Sequence, residues 1–361
     1  MVGIKDLQLR NVRSHTNGVF QFAGDMNAIV GPNGSGKTTI LEALYTTLRG
    51  SSFKSTVADM TQYGSNQFKI EVTQKTTRTD HSRSLTFQQT EGASLRRWKI
   101  DNKQFARLPI QARLPVVLFE PDLARLITGS PERRRNYLDI LAGQLDIEIA
   151  STQHKFERTL KQRNQLLKTL REQTGGASTS DLFVWNTQLA HLSESIVNAR
   201  HRLLKKLQNE ITRYYKDLGG TDDVLLTYQS SVSPDPTNYA SILLQFLETS
   251  AARDIARGYT GFGPHRDDLE ILLADQPAID RASRGEVRTI VIALKLLETE
   301  MLSRHYTGSE TRPTLLLDDV LSELDLVHQE RVLFGLKDHQ VFLTTTDAHA
   351  LNAGVHTIFL E

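Results

Sequence analysis

The segment that most limits what this chain can fold into is Gly31-Pro32-Asn33-Gly34-Ser35-Gly36-Lys37-Thr38, followed by a second threonine, Thr39. It matches G-x-x-x-x-G-K-[ST], and its flanks matter as much as its letters. Before it, residues 26–30 (MNAIV) read as a short apolar strand. After it, Ile40, Leu41, Leu44 and Leu48 keep the spacing of one helical face, and Gly50 stands where a C-terminal cap belongs. A strand, a glycine loop and a helix in this order let backbone N–H groups converge on phosphate oxygens, with the partial positive charge of the helix N-terminus behind them. Gly31 to Thr39 are therefore the expected nucleotide cradle, with Lys37 reaching the β- and γ-phosphates and the Thr38 hydroxyl ligating Mg²⁺.

A second signal lies almost 280 residues on, where TLLLDD at 314–319 is an apolar strand ending in two carboxylates. Adjacent aspartates at the end of a buried strand repel and lose solvation unless a cation is near. Asp318 is the expected metal-site carboxylate, acting through the water shell of Mg²⁺, and Asp319 is expected to orient or deprotonate the attacking water. Between the two signals, Ser283-Arg284-Gly285-Glu286 opens a long helical pattern, which places a serine cap and a glycine at a helix N-terminus.

The rest of the chain alternates between classes. Residues 4–10, 68–74, 83–88, 96–100 and 115–119 read as strands, as do 268–273, 341–347 and 356–360. Pro121 and Ser130-Pro131 start two short helices, with Gly129 and Gly143 as their stops. From about 148 to 172 and 182 to 216 the apolar residues follow narrow heptad-like seams, the first broken by Gln153 and Arg163. With TGGASTS between them as a flexible turn, these predict a projecting helical hairpin arm. A further helix is expected at 237–257, after the break SPDP. Strands at both ends and helices between them imply an α/β sheet lobe assembled from both termini, 1–118 with 306–361, and a mostly helical insertion over 119–305.

Composition excludes more than it selects. The absence of cysteine removes disulfides, thiolate metal sites and a cysteine nucleophile, and no stretch approaches the roughly 18 apolar residues of a membrane span. A cytoplasmic setting is expected. The formal net charge of +1 conceals a split: residues 1–217 carry 32 basic and 20 acidic residues, the remainder 11 and 22. The surplus includes Arg96-Arg97 with Lys99, Arg133-Arg134-Arg135, Lys155/Arg158/Lys161/Arg163 and Arg200/Arg202/Lys205/Lys206. Point charges of this kind suit sequence-independent, salt-sensitive contact with a polyanion.

The succession of P-loop, Ser-x-Gly-Glu, paired aspartates and Ser322-Glu323-Leu324-Asp325 resembles the ABC-type ATPases. Within them the chain is similar to the RecF family of bacterial recombination mediators. That likeness rests on NVRSH at 11–15, GPNGSGKTTILEAL, LFEPDLARLITGSPERRRNYLD, GPHRDDLEI at 263–271 and LLLDDVLSELD, and it covers nearly the whole length. The resemblance implies an ATP-dependent homodimer in which Ser283, Arg284, Gly285 and Glu286 of one copy complete the ATP site of the other, with Asp325 as a dimer-contacting residue. It also implies ATP and Mg²⁺ as cofactors, binding of double-stranded DNA near single-strand gaps, and work with RecR and RecO to place RecA on DNA. Three departures stand out. Arg284 replaces the small or amide residue common there. Asp319 replaces the usual glutamate, which predicts slow hydrolysis. Where ABC proteins carry a switch histidine, this chain reads Thr344-Thr345-Thr346-Asp347, leaving open which of these substitutes. Two other classes share the loop chemistry. A transporter ATPase subunit is disfavoured by the 247 residues from Gly36 to Ser283, and a non-catalytic nucleotide-gated scaffold by the intact Lys37, Asp318 and Asp319.

Overall fold

Two kinds of strand pattern in this chain become two kinds of sheet. The computed structural model describes residues 3–172, 178–233, 235–347 and 354–361, and the chain divides into two units, Met1–Leu123 with Glu298–Glu361, and Ala124–Leu297. The first unit opens with β1 (Gly3–Val12), β2 (His15–Gln21), β3 (Met26–Val30), α1 (Lys37–Arg49), β4 (Gln67–Lys75), β5 (Asp80–Thr90), β6 (Ala93–Ile100), β7 (Lys103–Phe105) and β8 (Val116–Phe119). The second unit holds α2 (Arg125–Thr128), α3 (Pro131–Leu145), α4 (Ile147–Glu172), α5 (Leu182–Asp217), β9 (Val224–Gln229), α6 (Tyr239–Thr249), α7 (Ala251–Arg257), β10 (Asp268–Leu273), β11 (Gln276–Pro277), α8 (Ala278–Arg281) and the start of α9 (Arg284–His305). The chain returns to the first unit for β12 (Thr314–Leu317), α10 (Leu326–Leu336), β13 (Gln340–Thr345) and β14 (His356–Phe359).

In the first unit a six-stranded antiparallel sheet runs β2-β1-β4-β5-β6-β7. Its strands alternate: Leu7, Leu9, Phe68, Ile70, Val72, Leu85, Phe87 and Trp98 enter one core with Ile40, Leu44 and Leu48 of α1, while their neighbours face outward. The five-stranded sheet β14-β3-β13-β12-β8 is parallel throughout and joins strands from both ends of the sequence. Here alternation disappears. Every residue of β12 and β13 is buried, as expected when a parallel sheet is covered on both faces. Gln340 ties the two sheets together, accepting from the Ile4 N–H at 2.7 Å and donating to the carbonyls of Ile4 at 2.7 Å and Ala23 at 2.9 Å.

The second unit is built on the hairpin of α4 and α5, and the hairpin is clothed. The helices α6 and α7, the strand β9 and the helix α3 all lie against it. The break that Arg163 makes in the seam of α4 is a buried polar network: this arginine is fully buried and bonds to Asn186, Asp254 and Thr260 at 2.7–2.9 Å. Part of the TGGASTS turn, residues 174–177, lies outside the described residues, as does Pro234 of SPDP.

Several expected boundaries move for identifiable reasons. Gly143 does not stop α3, which runs on to Leu145. A Cβ there would sit 3.0 Å from Gln153 Oε1 and 3.2 Å from Ala150 Cβ, so the glycine serves the close approach of α3 and α4. The single helix expected over 237–257 is two, parted at Ser250 so that the buried Asp254 of α7 meets Arg163. The units part at 123/124 and 297/298 where the sequence predicts 118/119 and 305/306. Ser303 in the last turn of α9 and Tyr306 just beyond it line one cavity of about 730 Å³ in the first unit, with Gly3, Leu114 and Gln340. Strand β2 (HTNGVFQ) has one buried side chain, Phe20, and so carries no alternation to read.

Candidate nucleotide-binding site

Sheet order assembles the site. Strand β13 lies between β3 and β12, with Thr344 paired to Ile29 and Leu343 to Leu317. The residues just past the C-terminal ends of β3 and β12, together with the end of β13, therefore meet at one level, which is the standard ligand position of a parallel sheet. Gly31 to Gly36 leave β3 there, and Asp318 and Asp319 leave β12 beside them.

The glycine loop needs its glycines. Gly36, the N-cap of α1, has φ +96°, and a Cβ on it would fall 2.4 Å from His15 Nε2 and 2.5 Å from Ser14 Oγ. These two residues belong to the NVRSH motif, whose Arg13 pairs with the buried Glu42 of α1 at 2.6 Å. The Lys37 ammonium donates to the carbonyls of Gly31 at 2.7 Å and Pro32 at 2.9 Å, which uses two of its three N–H groups across the loop mouth. The first N–H groups of α1 have no carbonyl within their own helix and suit a phosphate.

Behind the loop, Thr38 donates to Asp318 Oδ1 at 2.8 Å. Asp318 is almost wholly buried, and burial pushes its carboxyl above the usual carboxylate range, opposed by the hydrogen bonds from Thr38 and Thr344 and by the charge of Lys54. A buried carboxylate and a hydroxyl at this spacing form a hard oxygen pair of the kind Mg²⁺ takes, together with water and phosphate oxygens. The residues present therefore fit that ion, with Thr38 and Asp318 as its protein side. Asp319 follows at φ +52°, and its Oδ1 is buried with no hydrogen-bond partner. The threonine run after β13 contributes through Thr344, whose hydroxyl donates to Asp318 Oδ1 at 2.9 Å and accepts the Asp319 N–H at 2.8 Å. Asp347 instead donates its N–H to Thr345 Oγ1 at 3.1 Å. Sequence spacing could not single out Thr344, because three threonines in a row carry no register until strand pairing supplies it.

Ser283 to Glu286 lie in the second unit, at the opening of α9. Glu286 accepts the Ser283 N–H at 2.8 Å and Ser283 Oγ accepts the Glu286 N–H at 3.3 Å, a reciprocal cap. Hydrogen bonding from the Ser283 side chain and backbone N–H holds the Glu286 carboxyl below its ordinary range. Ser283, Arg284 and Gly285 are exposed. Asp325 caps α10, accepting from the His328 N–H at 3.0 Å.

The basic clusters do not survive intact. Arg134 makes a two-point pair with Asp268, both bonds at 2.8 Å, and Arg135 donates to the Asp267 carbonyl at 2.7 Å. Arg163 and Arg200 are buried, Arg200 gripping Asp139 at 2.8 and 2.7 Å. Arg163 and Arg200 are therefore structural, because a buried paired guanidinium has no surface to offer a phosphate, while Arg134 and Arg135 are half-buried, Arg134 engaged by Asp268. Arg96, Arg97, Lys99, Lys155, Arg158, Lys161, Arg202, Lys205 and Lys206 remain exposed.

Comparison with known proteins places this geometry. Residues 6–224 match the model of an AAA domain family. The chain is 32% identical over 351 residues to the DNA replication and repair protein RecF of Ruminiclostridium cellulolyticum, covering 95% of this chain and 92% of that protein. It is 33% identical to RecF of Streptococcus uberis, with 95% and 93% covered. Among solved structures, it is similar to the recombination mediator protein RecF-ATP of the RecFOR pathway, with TM-score 0.87, 26% identity and coverage of 99% and 95%. An Smc head bound to the C-winged helix domain of ScpA shares the fold at TM-score 0.56 and 16% identity, over 96% and 90% of the two chains. The ABC-type ATPase fold expected from the motif order is thus present.

Proposed function

The chain belongs to the RecF family of DNA replication and repair proteins, and from that premise we propose that it binds ATP with Mg²⁺, dimerises on it, and hydrolyses it slowly while held on double-stranded DNA. One observation carries the reading: Thr38 and Asp318, from the two ends of the sequence, lie 2.8 Å apart behind a complete glycine loop. The relative solved as RecF-ATP supports ATP as the nucleotide. Lys37 and the loop N–H groups bind and orient the phosphates. Thr38 and Asp318 would hold Mg²⁺, which would supply charge neutralisation for the phosphates. Asp319 orients the attacking water and takes its proton, and its buried, unpartnered Oδ1 is the atom available for that task.

The likeness to ABC-type ATPases supports Ser283-Arg284-Gly285-Glu286 of a second copy, the first three exposed and the segment capped, as the group that completes the site, with Asp325 on the same proposed interface. The exposed cations on α4 and α5 of the second unit, and separately those on β6 of the first, offer sequence-independent contacts for duplex DNA near single-strand gaps. Family membership supports action with RecR and RecO to place RecA, in the cytoplasm. Among the described residues no helix is long and apolar enough to cross a membrane.

Light scattering with ATP, ADP or no nucleotide, with and without duplex DNA, tests the reading. ATP should double the mass and tighten duplex binding, and Lys37→Met should abolish both. A wild-type chain that stays monomeric in ATP at every DNA concentration refutes the clamp. One that dimerises but turns over no faster than Asp319→Asn is a scaffold.

A further inference from the structure

The two aspartates after β12 differ in how they are held. Asp318 is locked: its Oδ1 accepts from Thr38 at 2.8 Å and from Thr344 at 2.9 Å, inside a buried environment. Asp319 sits at φ +52°, a region that a residue with a Cβ rarely occupies, and its Oδ1 has no partner. Its backbone is fixed at two points, the N–H donating to Thr344 Oγ1 at 2.8 Å and the carbonyl accepting from Ser322 Oγ at 2.7 Å.

The Thr344 hydroxyl therefore both donates and accepts. Its single hydrogen goes to Asp318 and a lone pair takes the Asp319 N–H, so one oxygen gauges both carboxylate residues. A continuous path of hydrogen bonds runs from the Thr38 hydroxyl through Asp318 Oδ1 and Thr344 Oγ1 to the amide of Asp319. Thr344 occupies the last part of β13, is 1% exposed, and has its register set by pairing with Ile29. Its placement is thus as rigid as the sheet itself, which is what a positioning group requires.

We propose that Thr344 is a positioning residue for hydrolysis, holding the backbone of Asp319 in its left-handed conformation and so aiming the free carboxylate at the attacking water. The proposal rests on the ATPase reading above. It concerns hydrogen bonding alone, since Thr344 carries no charge. Thr344 has no direct part in binding nucleotide, because Lys37 and the loop N–H groups do that.

Two substitutions separate the hydroxyl from the methyl. Thr344→Val keeps the branched shape and removes the hydroxyl, whereas Thr344→Ser keeps the hydroxyl and removes the methyl. If the hydroxyl positions Asp319, Val lowers kcat by about 10- to 100-fold, the range for losing a hydrogen bond in a charged network, and Ser stays within about threefold of wild type. Both variants should retain ATP affinity within about threefold. Hydrogen exchange at the Asp319 amide supplies a readout independent of turnover: it should accelerate in Val and stay protected in Ser. If Thr344 only packs the sheet, the order reverses, with Val like wild type and Ser impaired. That reversal, or an unchanged Asp319 amide in Val, overturns the proposal. Should Val fail to fold, Ser decides alone, and a loss beyond about tenfold in its kcat refutes the role. A wild type no faster than Asp319→Asn fails the ATPase reading itself, whereas wild-type turnover that Thr344→Val leaves unchanged fails only this inference.

Discussion

Replacing Arg200 with alanine separates structure from DNA contact, because sequence reasoning places this residue in a basic cluster and the structure buries it. Arg200 is 3% exposed and makes four hydrogen bonds: to the two oxygens of Asp139 at 2.8 and 2.7 Å, to the Tyr228 hydroxyl at 3.0 Å and to the Pro264 carbonyl at 2.8 Å. Burial works to depress its pKa, but the charge and bonds of Asp139 outweigh that and hold it above the ordinary arginine value. Removing one partner of a buried ion pair costs about 3–5 kcal/mol. The lower end applies here, since the Asp139 side chain keeps 28% of its surface in water and is resolvated once alone. A loss of about 3 kcal/mol lowers Tm by roughly 6–12 °C in a unit of this size. The assay is thermal unfolding beside duplex-binding anisotropy over a salt series, both well below the transition. Arg200→Ala should melt early yet keep the wild-type salt slope while folded. The double variant Lys205→Ala/Lys206→Ala, on exposed positions, should do the reverse, leaving Tm nearly unmoved and reducing the slope by up to about 2. An Arg200→Ala protein with wild-type Tm and weakened duplex binding would refute the structural assignment.

Two further outcomes follow from burial of ionisable groups. Asp318 is held above its ordinary pKa by burial, so its ionised form costs folding stability at neutral pH. Asp318→Asn should raise the Tm of the nucleotide-free chain while losing Mg²⁺-dependent hydrolysis, and a lower Tm would contradict the burial argument. His265 is pushed down to about 4, mainly by burial, with Arg266, Arg135 and Arg163 adding repulsion and the Thr260 carbonyl opposing. Its unfolded value is near 6.5, so between 6.5 and 4 the unfolded chain binds more protons, and stability falls as pH drops through that window. The full loss is about 3 kcal/mol, read as a fall in urea midpoint between pH 7 and pH 4, which His265→Phe should flatten.

Much of the site was legible because its chemistry is local. Gly31 to Thr39 form one loop, and a glycine at φ +96° or a lysine at a loop mouth is a requirement of a few consecutive residues. Asp318 and Asp319 were legible for a related reason, since an apolar run ending in two carboxylates is unusual whatever it packs against. The arginines were not. A guanidinium on a helix looks the same in sequence whether it faces water or an aspartate 61 or 91 residues away, as Arg200 and Arg163 do. Gly143 misled in the same way: it reads as a stop, and only the neighbouring helix shows why no larger residue fits.

The sequence by itself determined a strand, glycine loop and helix suited to a nucleotide's phosphates, because that chemistry is written in contiguous backbone, and a sheet that draws on both termini. Tertiary structure decided which residues hold Asp318 and Asp319 in place and which charges face solvent. Strand order alone brought Thr344 between Asp318 and Asp319, and packing alone removed Arg163 and Arg200 from the basic surface. Pairing register and burial depend on residues far apart in the chain, and no local pattern encodes them.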